Sequence, residues 1–76
     1  MKVENFTSFA GAFQEAVVAV LNAMVTVGEE RRGQLRNAKL AVDKALHDSR
    51  NGEEWYLADH LRRGIKDVEA RERDAA

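Results

Sequence analysis

The stretch SFAGAFQEAVVAVLNAMVTVG, residues 8–28, decides how the rest of the chain must fold. Glu15 is its only ionisable side chain. Phe9, Phe13, Ala16, Val20, Met24 and Val27, preceded by Phe6, recur at steps of three and four and so fall along one stripe of a helix, which Val17 and Leu21 widen. Val18 and Val25 add apolar surface elsewhere, so a helix over residues 8–27 is apolar on more than half its circumference and needs cover on two sides, from its own chain or from a second copy. Thr7 or Ser8 is the expected N-cap, and Gly28 suits the left-handed position that ends a helix.

The remainder contrasts with this segment. From Glu29 to Ala76 there are eleven acidic and eleven basic residues, the pattern of amphipathic helices with solvated outer faces. A second helix is expected over residues 31–50, with Leu35, Ala38, Val42, Ala45 and Leu46 inward and Leu40 left at an edge or for a partner. Gly33 disfavours a helix by roughly 1 kcal/mol relative to Ala, so residues 28–33 read as a loop and hinge. Ser49-Arg-Asn-Gly52 is the clearest break, and Asn51 followed by Glu54 resembles a capping box that opens a third helix over residues 53–70. Glu53 and Glu54 suit the positive end of that helix. Leu57, Ala58, Leu61, Ile65 and Val68 are its inward stripe, and Trp55 is placed to close one end of the bundle. The tail ARERDAA, residues 70–76, has no apolar period and is expected to fray.

The expected fold is therefore all-α: a small three-helix antiparallel bundle in one domain, residues 1–76. Self-association through helix one would relieve the marginal stability of so short a chain. With 12 basic and 13 acidic residues and no cysteine, a global field for nucleic acid, a disulfide framework and thiolate metal sites are all disfavoured. The apolar run of residues 16–27 is shorter than the roughly 20 residues that cross a bilayer, and the start MKVEN with Glu15 downstream is a poor secretory signal. A cytoplasmic chain without membrane attachment is expected.

Catalytic and ligand chemistry find little support. His47 and His60 fall on different helices without metal-ligand spacing. Asp43 and His47 can share a helix face, which reads as a solvated ion pair. Ser8 and Ser49 sit at helix ends, where capping explains them. No GxxxxGK[ST] or GxGxxG occurs, so no nucleotide loop, cofactor or metal is expected and the chain is not expected to be an enzyme.

From Val25, the order VTVGEERRGQLRNAKLAVDKAL, residues 25–46, resembles the helical domain of bacterial tRNA-modification GTPases of the MnmE/TrmE type. GEEWYLADHLRRGIKDV, residues 52–68, is similar to that domain's following helix, with Leu57, Ala58, Asp59, Leu61 and Arg62 at the matching Leu-Ala-acid-x-Leu-Arg positions. The resemblance covers about 45 residues and implies a scaffold portion of such a protein. The phosphate loop, switch segments and cysteine-containing end of that family are missing here, so neither GTP hydrolysis nor the tRNA-modifying site carries over.

The function expected is that of a non-catalytic protein-interaction or scaffold module. Phe9, Phe13, Val17, Val20 and Met24 would anchor a protein partner or a second copy, unless all five fill the chain's own core. The alternative is a small RNA-contacting protein using Arg31, Arg32, Arg36, Arg62, Arg63 and Lys66, a reading weakened by the acids interspersed among them.

Overall fold

The computed structural model describes the backbone of residues 3–75 and the side chains of residues 8–72. It is all-α: α1 (Val3–Met24), α2 (Gly28–Asp48) and α3 (Gly52–Ala75) form a three-helix bundle, with no strand among the described residues. α2 is the central element. It packs along α1 over most of its length and along α3 over less, whereas α1 and α3 meet at few residues. The bundle is flattened, with principal extents of 46 × 23 × 14 Å. α1 is therefore covered chiefly by one helix, not enclosed by two.

The contact between α1 and α2 is made by small side chains. Phe9, Ala12, Ala16, Ala19 and Ala23 are buried on α1, opposite Leu35, Ala38, Val42 and Ala45 on α2. Both sets advance by alternating steps of three and four residues, the period of a coiled-coil seam, and alanine's single methyl allows the two backbones to approach closely. The buried stripe of α1 is thus rotated from the expected one. Ala16 and Phe9 are shared, but Val20 and Phe13 stand on its flank, packed partly against the core, and Met24 is 63% exposed. α3 adds Ala58 and Ile65, with Leu61 and Val68 packed beside them. Leu57, expected inward, is 51% exposed, and Trp55 leaves half its surface in solvent at the bundle's end. Leu35, Val42 and Ile65 are the largest fully buried side chains, each stabilising the fold by about 1.5–3 kcal/mol through burial.

Helix boundaries depart from expectation where tertiary contacts intervene. α1 is already helical before Thr7 and Ser8, since no glycine or proline breaks residues 3–8. It stops at Met24, ahead of the β-branched run Val25-Thr26-Val27, in which Val27 is extended (φ −137°, ψ 164°); β-branched side chains lose rotamer freedom in a helix. Gly28 is left-handed (φ +64°), yet it opens α2 instead of closing α1. The carbonyls at the end of α1 are taken up otherwise: Thr26 Oγ1 donates to Asn22 O at 3.0 Å, and Arg31 Nε donates to both Ala23 O and Thr26 O at 2.9 Å.

α2 runs without interruption through Gly33, so residues 28–33 are helical and not the expected loop. Glu29 and Glu30 favour its start through the helix dipole. Arg31, anchored on α1, also donates from Nη1 to Glu72 at 3.1 Å, tying all three helices at one point. Glu72 receives Arg32 at 3.8 Å as well, and Lys39 pairs with Glu69 at 3.2 Å. These contacts explain why α3 continues to Ala75 where fraying after residue 70 was expected. At the other end, Ser49 Oγ donates to Leu46 O at 2.8 Å, and Asn51 Oδ1 accepts the Glu54 amide at 2.9 Å as the N-cap. The return contact of the capping box is shifted by one residue, Glu54 accepting the Arg50 amide at 2.9 Å.

A Cβ added at Gly33 meets nothing within 4 Å, so Gly33→Ala is expected to raise stability by about 0.5–1 kcal/mol in urea denaturation. Gly28→Ala, forced into the left-handed region, is expected to lower it by a similar amount or more. Ala38→Leu, at a position with no exposed surface, should cost about 1–3 kcal/mol by wedging α1 from α2.

Candidate interaction surfaces

Behind its buried seam, α1 carries a second one. Gly11, Gln14, Val18 and Leu21, continued by Val25 just past the helix end, follow the same alternation of three and four, and all five are exposed. Val18, Leu21 and Val25 have 46%, 56% and 82% of their surface in solvent. On α2, Leu40 is 67% exposed, in keeping with its expected edge position. Val18 and Leu40 line an open groove of about 570 Å³ between α1 and α2. Its walls are otherwise Gly11, Ala19 and Ala41, the uncharged polar side chains of Gln14, Asn22, Gln34 and Asn37, and one charge from each helix, Glu15 and Lys44. No residue of α3 lines it.

The anchors expected from the sequence lie elsewhere on α1. Phe9 belongs to the core and stacks on Phe13, ring centroids 5.6 Å apart. Val17 and Val20 are half-buried and Met24 is exposed. None of the five lines the groove. Part of the groove's α1 wall, Gly11, Gln14 and Val18, follows a second three- and four-residue period in the sequence, but the larger residues of the first stripe dominated it.

A smaller apolar patch lies at the start of α3. Trp55, Tyr56 and Leu57 are each about half exposed or more, and Tyr56 stacks on His60 with centroids 6.0 Å apart. Tyr56 and Leu57 border a shallow depression with Gly52 and Glu53.

The basic residues considered for RNA are mostly engaged within the chain. Arg31 and Arg32 share Glu72. Arg62 and Arg63 hold the two oxygens of Asp59 at 2.7 and 3.1 Å. Arg36 and Lys66 are exposed, and no described carboxylate lies within ion-pair distance of either. Asp59 itself is 3% exposed, a buried acid that its neighbours in the apolar stripe did not announce. The Arg62 hydrogen bond, followed by the charges of Arg63 and Arg62, holds its carboxyl below the ordinary carboxylate value despite burial. Hydrogen bonds from Lys44 and His47 lower Asp48 in the same way, and that from Arg50 lowers Glu54. His47 thus faces Asp48 at 3.4 Å and makes no ion pair with Asp43. Among the described residues no three potential metal ligands converge, and no helix is long and apolar enough to cross a membrane.

Because Asp59 titrates lower in the folded chain than when unfolded, its ion pairs stabilise the fold fully above the ordinary value of 3.8, and that stabilisation disappears as pH falls through the lowered folded value. Asp59→Asn is therefore expected to melt at a lower temperature than the parent at pH 7, with the gap narrowing towards pH 2. A gap of constant size across thermal melts in that range would contradict this account of Asp59.

No protein-family model matches this chain, and no curated protein or solved structure matches it either, so its function must be read from the residues themselves.

Proposed function

We propose that this chain is a non-catalytic helical protein-interaction module whose binding face is the groove between α1 and α2, built to receive a helix from another protein chain. The observation that carries this reading is the exposed apolar surface of Val18 and Leu40 in a groove lined by only two charged residues, in a chain of which 33% is charged. Charged residues are depleted at the centres of protein interfaces and enriched on free surface. An amphipathic helix laid along the groove would find apolar contacts at three- and four-residue intervals and uncharged hydrogen-bonding groups on its walls.

The scaffold role in a tRNA-modification GTPase rests on the resemblance of residues 25–46 and 52–68 alone, and the groove does not depend on it. RNA contact through the basic helix faces is the weaker alternative. Arg31, Arg32, Arg62 and Arg63 already neutralise carboxylates, and non-specific affinity scales with the number of phosphates neutralised.

A photo-crosslinking side chain placed at Val18 or Leu40 is expected to form protein adducts in a lysate of the source cells, while the same group at Glu53, on the far patch, forms few. Val18→Asp and Leu40→Asp should each weaken the recovered interaction by on the order of tenfold or more, with stability changed by no more than about 0.5 kcal/mol because both sites are exposed. Equal adduct yields at all three positions would remove the groove as the binding face.

A further inference from the structure

We infer that the groove's occupant is the same groove of a second copy, the two chains closing a four-helix arrangement about a two-fold axis parallel to α1 and α2, with Glu15 of each copy against Lys44 of the other. This deepens the reading of the groove as a binding face and rests on it.

Charge decides the occupant. Glu15 and Lys44 are the groove's only ionisable residues. Among the described residues Glu15 has no ion-pair partner, and Lys44 reaches only Asp48, in an exposed pair at 3.2 Å. Whatever covers the groove must offer Glu15 a cation, because a charge covered without a partner is strongly destabilising, and Lys44, already paired with Asp48, has donors left for a second carboxylate. A two-fold axis supplies both together, since the operation that brings Lys44 to Glu15 also brings Glu15 to Lys44. Packing α1 against α1 of a second copy through Val18 and Leu21 would not bring Lys44 to Glu15 and would leave the carboxylate without a cation.

The helix geometry agrees. Counted from the α1–α2 turn, Lys44 stands roughly one to two helical turns farther along than Glu15. Side chains lean towards the N-terminus of their own helix, which in antiparallel neighbours carries these two towards each other. An axis parallel to the helices preserves their levels, so the same approach occurs between copies. It also gives every helix of the four antiparallel neighbours, the arrangement that opposes their dipoles favourably. Two helices side by side offer a face of roughly 30 × 20 Å, about 600 Å² per copy and about 1,200 Å² in total, the lower bound for a specific interface.

Sedimentation equilibrium of the full chain tests the proposal. The parent is expected to dimerise with concentration. Glu15→Lys and Lys44→Glu are each expected to raise the dissociation constant by on the order of tenfold, since each variant alone places like charges together twice. An equimolar mixture of the two variants should return to parental affinity, because in the mixed dimer both contacts again join opposite charges. A contact within one chain cannot be repaired by mixing. Both positions are exposed, and circular dichroism checks that helicity is retained. Independently of any variant, zero-length carbodiimide coupling of mixed isotope-labelled and unlabelled parent should give Glu15–Lys44 peptides joining one label to the other.

A parent that stays monomeric overturns the proposal, as does a mixture that fails to recover or coupling confined to single chains. A monomer that still forms adducts with another protein through Val18 overturns the second copy and leaves the binding face standing. A monomer with no adduct there overturns both.

Discussion

The close approach of α1 and α2 over alanine is the constraint on which the rest of the molecule depends. Ala12, Ala16, Ala19 and Ala23 meet a seam that includes Ala38 and Ala45, and all are nearly or wholly buried. Short side chains bring the helices together, and beyond Phe9 at the start of the seam the larger residues of α1 stand to one side. Phe13 and Val20 flank the seam and still pack against the core. Val18, Leu21 and, just past the helix end, Val25 lie away from the seam and keep 46%, 56% and 82% of their surface in solvent. The exposed apolar surface of α1 is thus a geometric consequence of a tight seam in an almost uncharged helix.

α3 is held differently. Its apolar contribution is limited to Ala58 and Ile65 with Leu61 and Val68 at the margin, so polar contacts share in fixing its position. Arg31 is the central one: its guanidinium accepts no hydrogen bond but donates in several directions, satisfying carbonyls at the end of α1 while pairing with Glu72 on α3. Single exposed ion pairs contribute little. A guanidinium that also caps a helix end is worth more, because the carbonyls it serves have no intrahelical partner. The same use of charge removes four of the six basic side chains from the surface available to a phosphate backbone, and it extends α3 beyond its apolar period.

Much of the architecture was legible in the sequence. The number and type of elements, the break at Ser49–Gly52, the Asn51 cap and the inward face of α2 all follow from periodicity and turn chemistry, which act locally. The misplaced features are those decided at a distance. Reading hydrophobic bulk favoured Phe13, Val20 and Met24 over Ala12, Ala19 and Ala23, because only the distance between two helices reveals that small residues win. Near Gly33, where α2 is uninterrupted, Arg31 reaches across to α1, and near the end of α3 Glu69 and Glu72 find bases on α2, contacts between residues far apart in sequence. Asp59 was equally hidden: an acid beside apolar residues reads as solvated until two arginines on its own helix are seen to enclose it.

The two kinds of surface on this chain also differ in what they can bind. On α2 and α3 most bases, Arg36 and Lys66 apart, pair with acids within a turn or across a helix pair, so those faces gain little by exchanging water for a partner. The groove between α1 and α2 is the opposite case. Its uncharged amides can be dehydrated at modest cost when they find hydrogen bonds, its valine and leucine gain from leaving water, and its two charges, of opposite sign, set a strict condition on what covers them. A surface with those three properties is selective because most helices would meet the first two requirements and fail the third. In the proposed binding face, selectivity would therefore reside in Glu15 and Lys44, and affinity in the apolar residues that the alanine seam pushed outward.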